Sequence, residues 1–197
     1  MSLFQSVQHI GKKYGRVVLL IGAFVSVSLA LGSIPSETLI GVVGSDNVYV
    51  LMFVLGTIGG LTTFTGLPYQ LILMSFAAGG INPILLGIST ALGVMIGDST
   101  MFLLSRKVRT SLSPRVSHFL SLVVGAIDKH PGMFNIVLFS YGAISPFSND
   151  FIIASFSIAG YSYRRVMLPL ALGNICFNIA LAYLGLYAYD SIVQFFM

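Results

Sequence analysis

The chain has 197 residues, 56% of them hydrophobic and only 8% charged, with a mean hydropathy of +0.93. That leaves too little polar surface for a soluble domain of this length and makes the class an integral membrane protein. The net charge of +4 does not point to nucleic acid, because the basic residues sit in short clusters between apolar runs, as orientation in a membrane requires. Strands of alternating polarity are absent, so the expected fold is all-α rather than a barrel.

In chain order, residues 1–15 carry Leu3, Phe4, Val7, Ile10 and Tyr14 between Gln5, Gln8, His9, Lys12 and Lys13, a spacing that suits a short helix on the membrane surface. Lys12, Lys13 and Arg16 place the N-terminus in the cytoplasm. Val17 to Leu31 follows as the first span, read as a retained signal-anchor rather than a cleaved leader. Gly32 to Asn47 contains Glu37 and Asp46 without Lys or Arg and is expected to be an external loop.

Val48 to Thr65 and Tyr69 to Gly80 are apolar arms separated by Gly66-Leu67-Pro68. Pro83 to Leu104 is a full span, followed by Arg106, Lys107, Arg109 and Arg115, which belong inside. An odd number of crossings is needed between Asn47 and Arg106. A hairpin over 48–80, open to the outside, and one crossing over 83–104 satisfy it with the fewest elements.

Pro114 to His130 reads as a surface helix with Val116, Phe119, Leu120, Val123 and Val124 as its apolar stripe. Met133 to Ile144 and Phe151 to Ala159 are again shorter than the roughly 20 residues that cross a bilayer, and Pro146 with Ser148, Asn149 and Asp150 breaks the run between them. This second hairpin opens inward, Arg164 and Arg165 mark its exit, and Val166 to Tyr189 crosses outward to an external C-terminus. The chain therefore divides into an N-terminal unit (1–47), a first hairpin-plus-span (48–104), a cytoplasmic basic loop and surface helix (105–132) and a second hairpin-plus-span (133–197).

A shift of 80 residues lays Gln70 to Gly80 over Asp150 to Gly160, and Ala91-Leu92-Gly93 over Ala171-Leu172-Gly173. With one hairpin opening outward and the other inward, the two halves form an inverted repeat, the plan of transporters whose broken helices meet near the midplane. Irregular backbone at that depth lines a site or is buried by protein, so the hairpin tips are the expected substrate cavity: Pro68 and Gln70 from the first, Pro146, Ser148 and Asn149 from the second.

Asp150 is the first candidate for chemistry, because an intramembrane carboxyl costs about 2.5–3.5 kcal/mol to insert and can carry a proton. Its alternative role is capping the outgoing helix together with Ser148 and Asn149. Asp98 lies deep in the span over 83–104 behind Gly93 and Gly97, where it serves as a second proton site, as an interhelical acceptor, or as a partner of Arg106 or Arg109. Asn174 and Asn178 lie one turn apart on the last span, and Asn178 falls on the repeat position of Asp98; interhelical hydrogen bonding is the commoner role of such amides, and both are also expected among the substrate-cavity residues. Arg164 and Arg165 are topology determinants that also stand where a lipid headgroup would be met. His9, His118 and His130 have no ligand spacing and Cys176 is alone, so no metal site, disulfide or cofactor is expected.

The run Gly93-Val-Met-Ile-Gly97-Asp98 with Arg106, and the second-half run Ser-Pro-Phe-Ser-Asn-Asp with Ala159-Gly160-Tyr161-Ser-Tyr-Arg164-Arg165 and Gly173-Asn174, resemble the DedA family, also called VTT or SNARE-associated domain proteins. The resemblance covers about residues 50–190. It implies two facing re-entrant hairpins and movement of a lipid across the cell membrane, polyprenyl-phosphate carriers or phospholipids. The intramembrane carboxyls of Asp150 and Asp98 make protons the expected coupling partner, and the oligomeric state is left open, a homodimer being one assembly. Where many members have Pro-x-Glu in the first hairpin this chain has Pro68-Tyr69-Gln70, and Ala143 and Asn149 stand where two Arg would flank the second Pro. A non-transporting scaffold joined through Gly56, Gly60, Gly93 and Gly97 is the alternative. An intramembrane aspartyl protease using Asp98 and Asp150 is a lesser one. No other enzyme motif is present.

Overall fold

The computed structural model describes residues 36–61, 69–108, 131–145 and 148–196. The N-terminal surface helix and first span, the surface helix over 114–130, Pro68 and Pro146 lie outside the described residues. Every described element is an α-helix: α1 (Ser36–Val43), α2 (Val48–Leu61), α3 (Tyr69–Ala78), α4 (Pro83–Val108), α5 (Pro131–Ile144), α6 (Asp150–Ala159) and α7 (Tyr163–Phe196).

Among these, Pro83–Lys107 and Tyr163–Ala188 are long and apolar enough to cross a membrane, and a third crossing exists if α1 and α2 count as one span bent by 98°. The outward faces of α4 and α7 carry Leu92, Ile96, Leu103, Leu104, Leu168, Leu172 and Leu184, whereas Asp98, Asn174 and Asn178 point inward. An apolar outward face with polar side chains turned inward suits lipid surroundings, where polar groups gain by facing one another.

Helix limits follow from local chemistry. The Asn82 side chain accepts from the amides of Ile84 and Leu85 (3.0 and 3.2 Å), an N-cap with Pro83 in the first helical position where its missing N–H costs nothing. α3 and α6 end alike, on Gly80 and Gly160 with φ of 87° and 97°. The amides of Ile81 and Tyr161 turn back to the carbonyls of Phe76 and Phe156 (3.2 and 3.0 Å), closing the helix ends as glycine in the left-handed region allows.

Residues 36–43, read as external loop, are helical, because Leu39, Ile40 and Val43 share a face that packs on the α2/α3 core. Gly44, at φ 80°, then turns the chain into α2. The helices also run beyond the expected spans, to Val108 for α4 and through Phe196 for α7, while the part of α7 long and apolar enough to cross ends at Ala188, beside the expected Tyr189.

Packing is reciprocal. α2 lies on α4 and α5 on α7, while α3 lies on α7 and α6 on α4, and α4 and α7 cross each other. The close approaches are backbone to backbone. A Cβ at Gly56 would meet the carbonyl of Thr90 and the amide of Val94, and one at Gly142 would meet the carbonyl of Leu170 and the amide of Asn174. Gly93 abuts Phe53 and Thr57, and Gly173 abuts Phe139 and Ala143. The glycine faces that the sequence offers to a partner are thus filled within the chain, Gly56 and Gly60 against α4, Gly93 and Gly97 against α2.

The two apolar cores match in the same way. One gathers Val48, Met52, Leu73, Leu86 and Ala182; the other gathers Phe134, Leu138, Ile153, Val166 and Phe102. Leu73, Leu86 and Phe102 take their counterparts, Ile153, Val166 and Ala182, at the shift of 80 residues. Val48 and Met52 take theirs at a larger shift, since the connector between the arms is longer in the first half.

Candidate functional site

The crossing of α4 and α7 carries the polar centre. Asp98 is 2% exposed, Asn174 5% and Asn178 1%. Asp98 Oδ2 accepts from Asn149 Nδ2 at 2.9 Å and from Asn174 Nδ2 at 3.2 Å, and Asn149 Nδ2 also donates to Asn174 Oδ1 at 3.1 Å. Asn178 Nδ2 closes the group by donating to the carbonyl of Asn174 at 2.8 Å. Three elements therefore meet on one carboxyl oxygen: α4 supplies it, α7 holds it from the side, and the residue preceding α6 holds it from the tip.

Asn149 reaches that position because it is not used as a helix cap. It occupies the N-cap place of α6 but makes no capping hydrogen bond through its side chain. Ser148 takes over, its Oγ accepting from the Asp150 amide at 3.2 Å, while the Tyr141 hydroxyl donates to the Ser148 carbonyl at 3.1 Å and ties the tip to α5. The expected N-cap cluster is thus divided: Ser148 caps, and Asn149 is freed for Asp98.

Asp150 is buried at 5% exposure, with Ser148 beside its carboxyl, and it lies within electrostatic reach of Asp98. Tyr69, at the start of α3, also lies within electrostatic reach of Asp98, with Gln70 next to its hydroxyl. The sequence-derived group Asp98, Asn149, Asn174, Asn178, Ser148 and Asp150 is therefore brought to one region, and Gln70 stands at the start of the opposing short helix. Pro68 and Pro146 lie outside the described residues.

Asp98 does not pair with Arg106, which is exposed in the last turn of α4; its hydrogen bonds go to amides, and Arg109, the other expected partner, lies outside the described residues. Arg164 is exposed at the start of α7. Arg165 lies over the rings of Phe134 and Tyr161, 5.2 and 5.0 Å from their centroids, in a cluster that includes Phe156.

Three tyrosines were not singled out from sequence: Tyr69, Tyr141 and Tyr163, whose hydroxyl is 2.6 Å from Ser99 Oγ. For Tyr69 a signal existed, because the shift of 80 residues sets it on Asn149. Among the described residues no group of three or more His, Cys, Asp or Glu side chains converges as a metal site. A carboxyl ringed by amides, inside an apolar shell, can exchange a proton, hold a polar headgroup by hydrogen bonds, or change partners as helices shift. No protein-family model, curated protein or solved structure matches this chain.

Proposed function

We propose that this protein is a DedA-like membrane transporter that moves a lipid, through its polyprenyl-phosphate or phospholipid headgroup, across the cell membrane, with Asp98 and Asp150 exchanging protons as it does so. The observation that carries the reading is the buried Asp98–Asn149–Asn174 network at the crossing of the two spans. Polar groups are costly at such depth and mark pathways for substrates or protons.

The same reading takes the halves as an inverted repeat of re-entrant hairpin plus span. In its support, α2 and α5 have 14 residues and α3 and α6 have 10, all short of the roughly 20 that cross a bilayer. The corresponding glycine contacts and matched cores agree with it. So does the antiparallel crossing of the spans, in which Gly87 of α4 lies beside Ile179 of α7 and Ser99 beside Tyr163. On this reading α3 and α6 enter from opposite sides and their tips bound the headgroup's path, with Gln70, Ser148 and Asn149 lining it and Arg164 and Arg165 at the inner mouth.

The test is reconstitution into liposomes with a fluorescent phospholipid and a short-chain polyprenyl phosphate, each assayed for transfer between leaflets. Wild-type protein should move one of them, and Asp150→Asn should abolish movement while the protein stays monodisperse. Full transport by Asp150→Asn removes the coupling role. Movement of neither lipid by wild-type protein overturns the transport reading.

A further inference from the structure

The Asn178 amide is oriented by its bond to the Asn174 carbonyl, and that leaves Asn178 Oδ1 buried without a hydrogen-bond partner. A buried acceptor in this condition calls for an explanation. It stands on the face of α7 that α3 covers: one turn on, Ala182 packs in the core with Leu73, Phe76 and Ala77, and beyond it Gly185 abuts the backbone of Met74.

The same face exists on α4, shifted by 80 residues, and there it is satisfied. Asp98 accepts from Asn149, and the Phe102 carbonyl one turn on accepts from Ser157 Oγ of α6 at 2.7 Å. Asp98 corresponds to Asn178, Phe102 to Ala182, Ser157 to Ala77, and Asn149 to Tyr69. The bond present at one tip therefore has a counterpart whose acceptor is unpaired and whose donor is a tyrosine hydroxyl.

We infer that Tyr69 is the first hairpin's counterpart of Asn149, and that in a second conformation its hydroxyl donates to Asn178 Oδ1 while the bond from Asn149 to Asp98 is open. The inference rests on reading the halves as an inverted repeat, since two such halves exchange conformations when the protein changes the side it opens to. The chemistry matches at both ends: an amide N–H meets a carboxyl oxygen at one tip, and a phenol O–H meets an amide oxygen at the other. In the present structure the Tyr69 ring lies against Gly59 of α2, where a Cβ would collide with it, so the ring is already seated beside the helix it would slide along. Tyr69 and Gln70 then have separate tasks, one as a latch and one as cavity lining.

The test uses the full chain in membranes with the native cysteine removed (Cys176→Ala). Tyr69→Cys and Asn178→Cys are introduced together and oxidised with copper phenanthroline, with Asn149 intact and with Asn149→Ala or Asn149→Ser. Opening the second tip should shift the population toward the conformation that joins 69 to 178, so disulfide yield should rise severalfold in both Asn149 variants. An unchanged or lower yield in folded, monodisperse protein overturns the inference. Cross-linking does not require that the substrate be a lipid: increased yield without lipid movement sinks the transport reading alone, and lipid movement without increased yield sinks the latch alone.

Discussion

At the scale of single residues, the polar centre separates hydrogen bonding from charge. Asp98 uses one oxygen for both amides, so an asparagine there can offer its Oδ1 to the same two donors. Asp98→Asn should therefore retain thermal stability close to wild type in detergent, and lose lipid movement in the liposome assay. Asp98→Leu leaves the amides of Asn149 and Asn174 without that acceptor and should lower stability by about 1–3 kcal/mol, read as a fall in the thermal midpoint. Asn149→Ala removes two hydrogen bonds at once and should cost a similar amount.

Much of this centre was legible in the chain, because each member is a polar residue in an apolar setting: Asp98, Asn149, Asp150, Asn174 and Asn178 all stand out by composition. Which of them bond to which was not legible. Nothing local says that Asn149 abandons the cap of α6 for a carboxyl on another helix; that depends on Ser148 taking the cap and on α6 crossing α4. Tyr69 was hidden for another reason. An aromatic residue opening an apolar helix looks like packing until the acceptor left unpaired at Asn178 is seen.

At the scale of elements, glycine decides which helices touch. Gly93 and Gly173 each face a carbonyl of the neighbouring helix with no room for a side chain. Gly93→Val and Gly173→Val should push α4 from α2, and α7 from α5, by far enough to abolish a monodisperse product. Gly132→Ala, where a Cβ would meet nothing within 4 Å, should be neutral. Gly160→Ala places a side chain in the left-handed region that closes α6 and should cost about 1–2 kcal/mol, again measured as a thermal midpoint. The arms and spans were readable from their apolar runs and from the breakers between them. α1 was not, because Glu37 and Asp46 drew attention from the helical spacing of Leu39, Ile40 and Val43, which matters only once α2 and α3 supply a surface to bury it.

At the scale of the whole molecule, the inverted reading makes a statement about sidedness. In the Cys176→Ala background, Asn82→Cys should react with a membrane-impermeant maleimide added outside intact cells. Ser162→Cys should react only after the membrane is opened. Labelling of both from one side would require the halves to run in parallel, against the antiparallel crossing of α4 and α7.

The exchange of short helices between halves also bears on how the protein is made. α3 is seated on α7 and α6 on α4, so when α3 leaves the ribosome its seat has not yet been synthesised. The first half must wait in the membrane with an unhoused arm until the last helix arrives, a period in which quality-control proteases and insertion chaperones have access to it. Neither half is a unit that biosynthesis can complete alone: a chain cut in the connector after α4 should be degraded as separate pieces and persist when both pieces are made together.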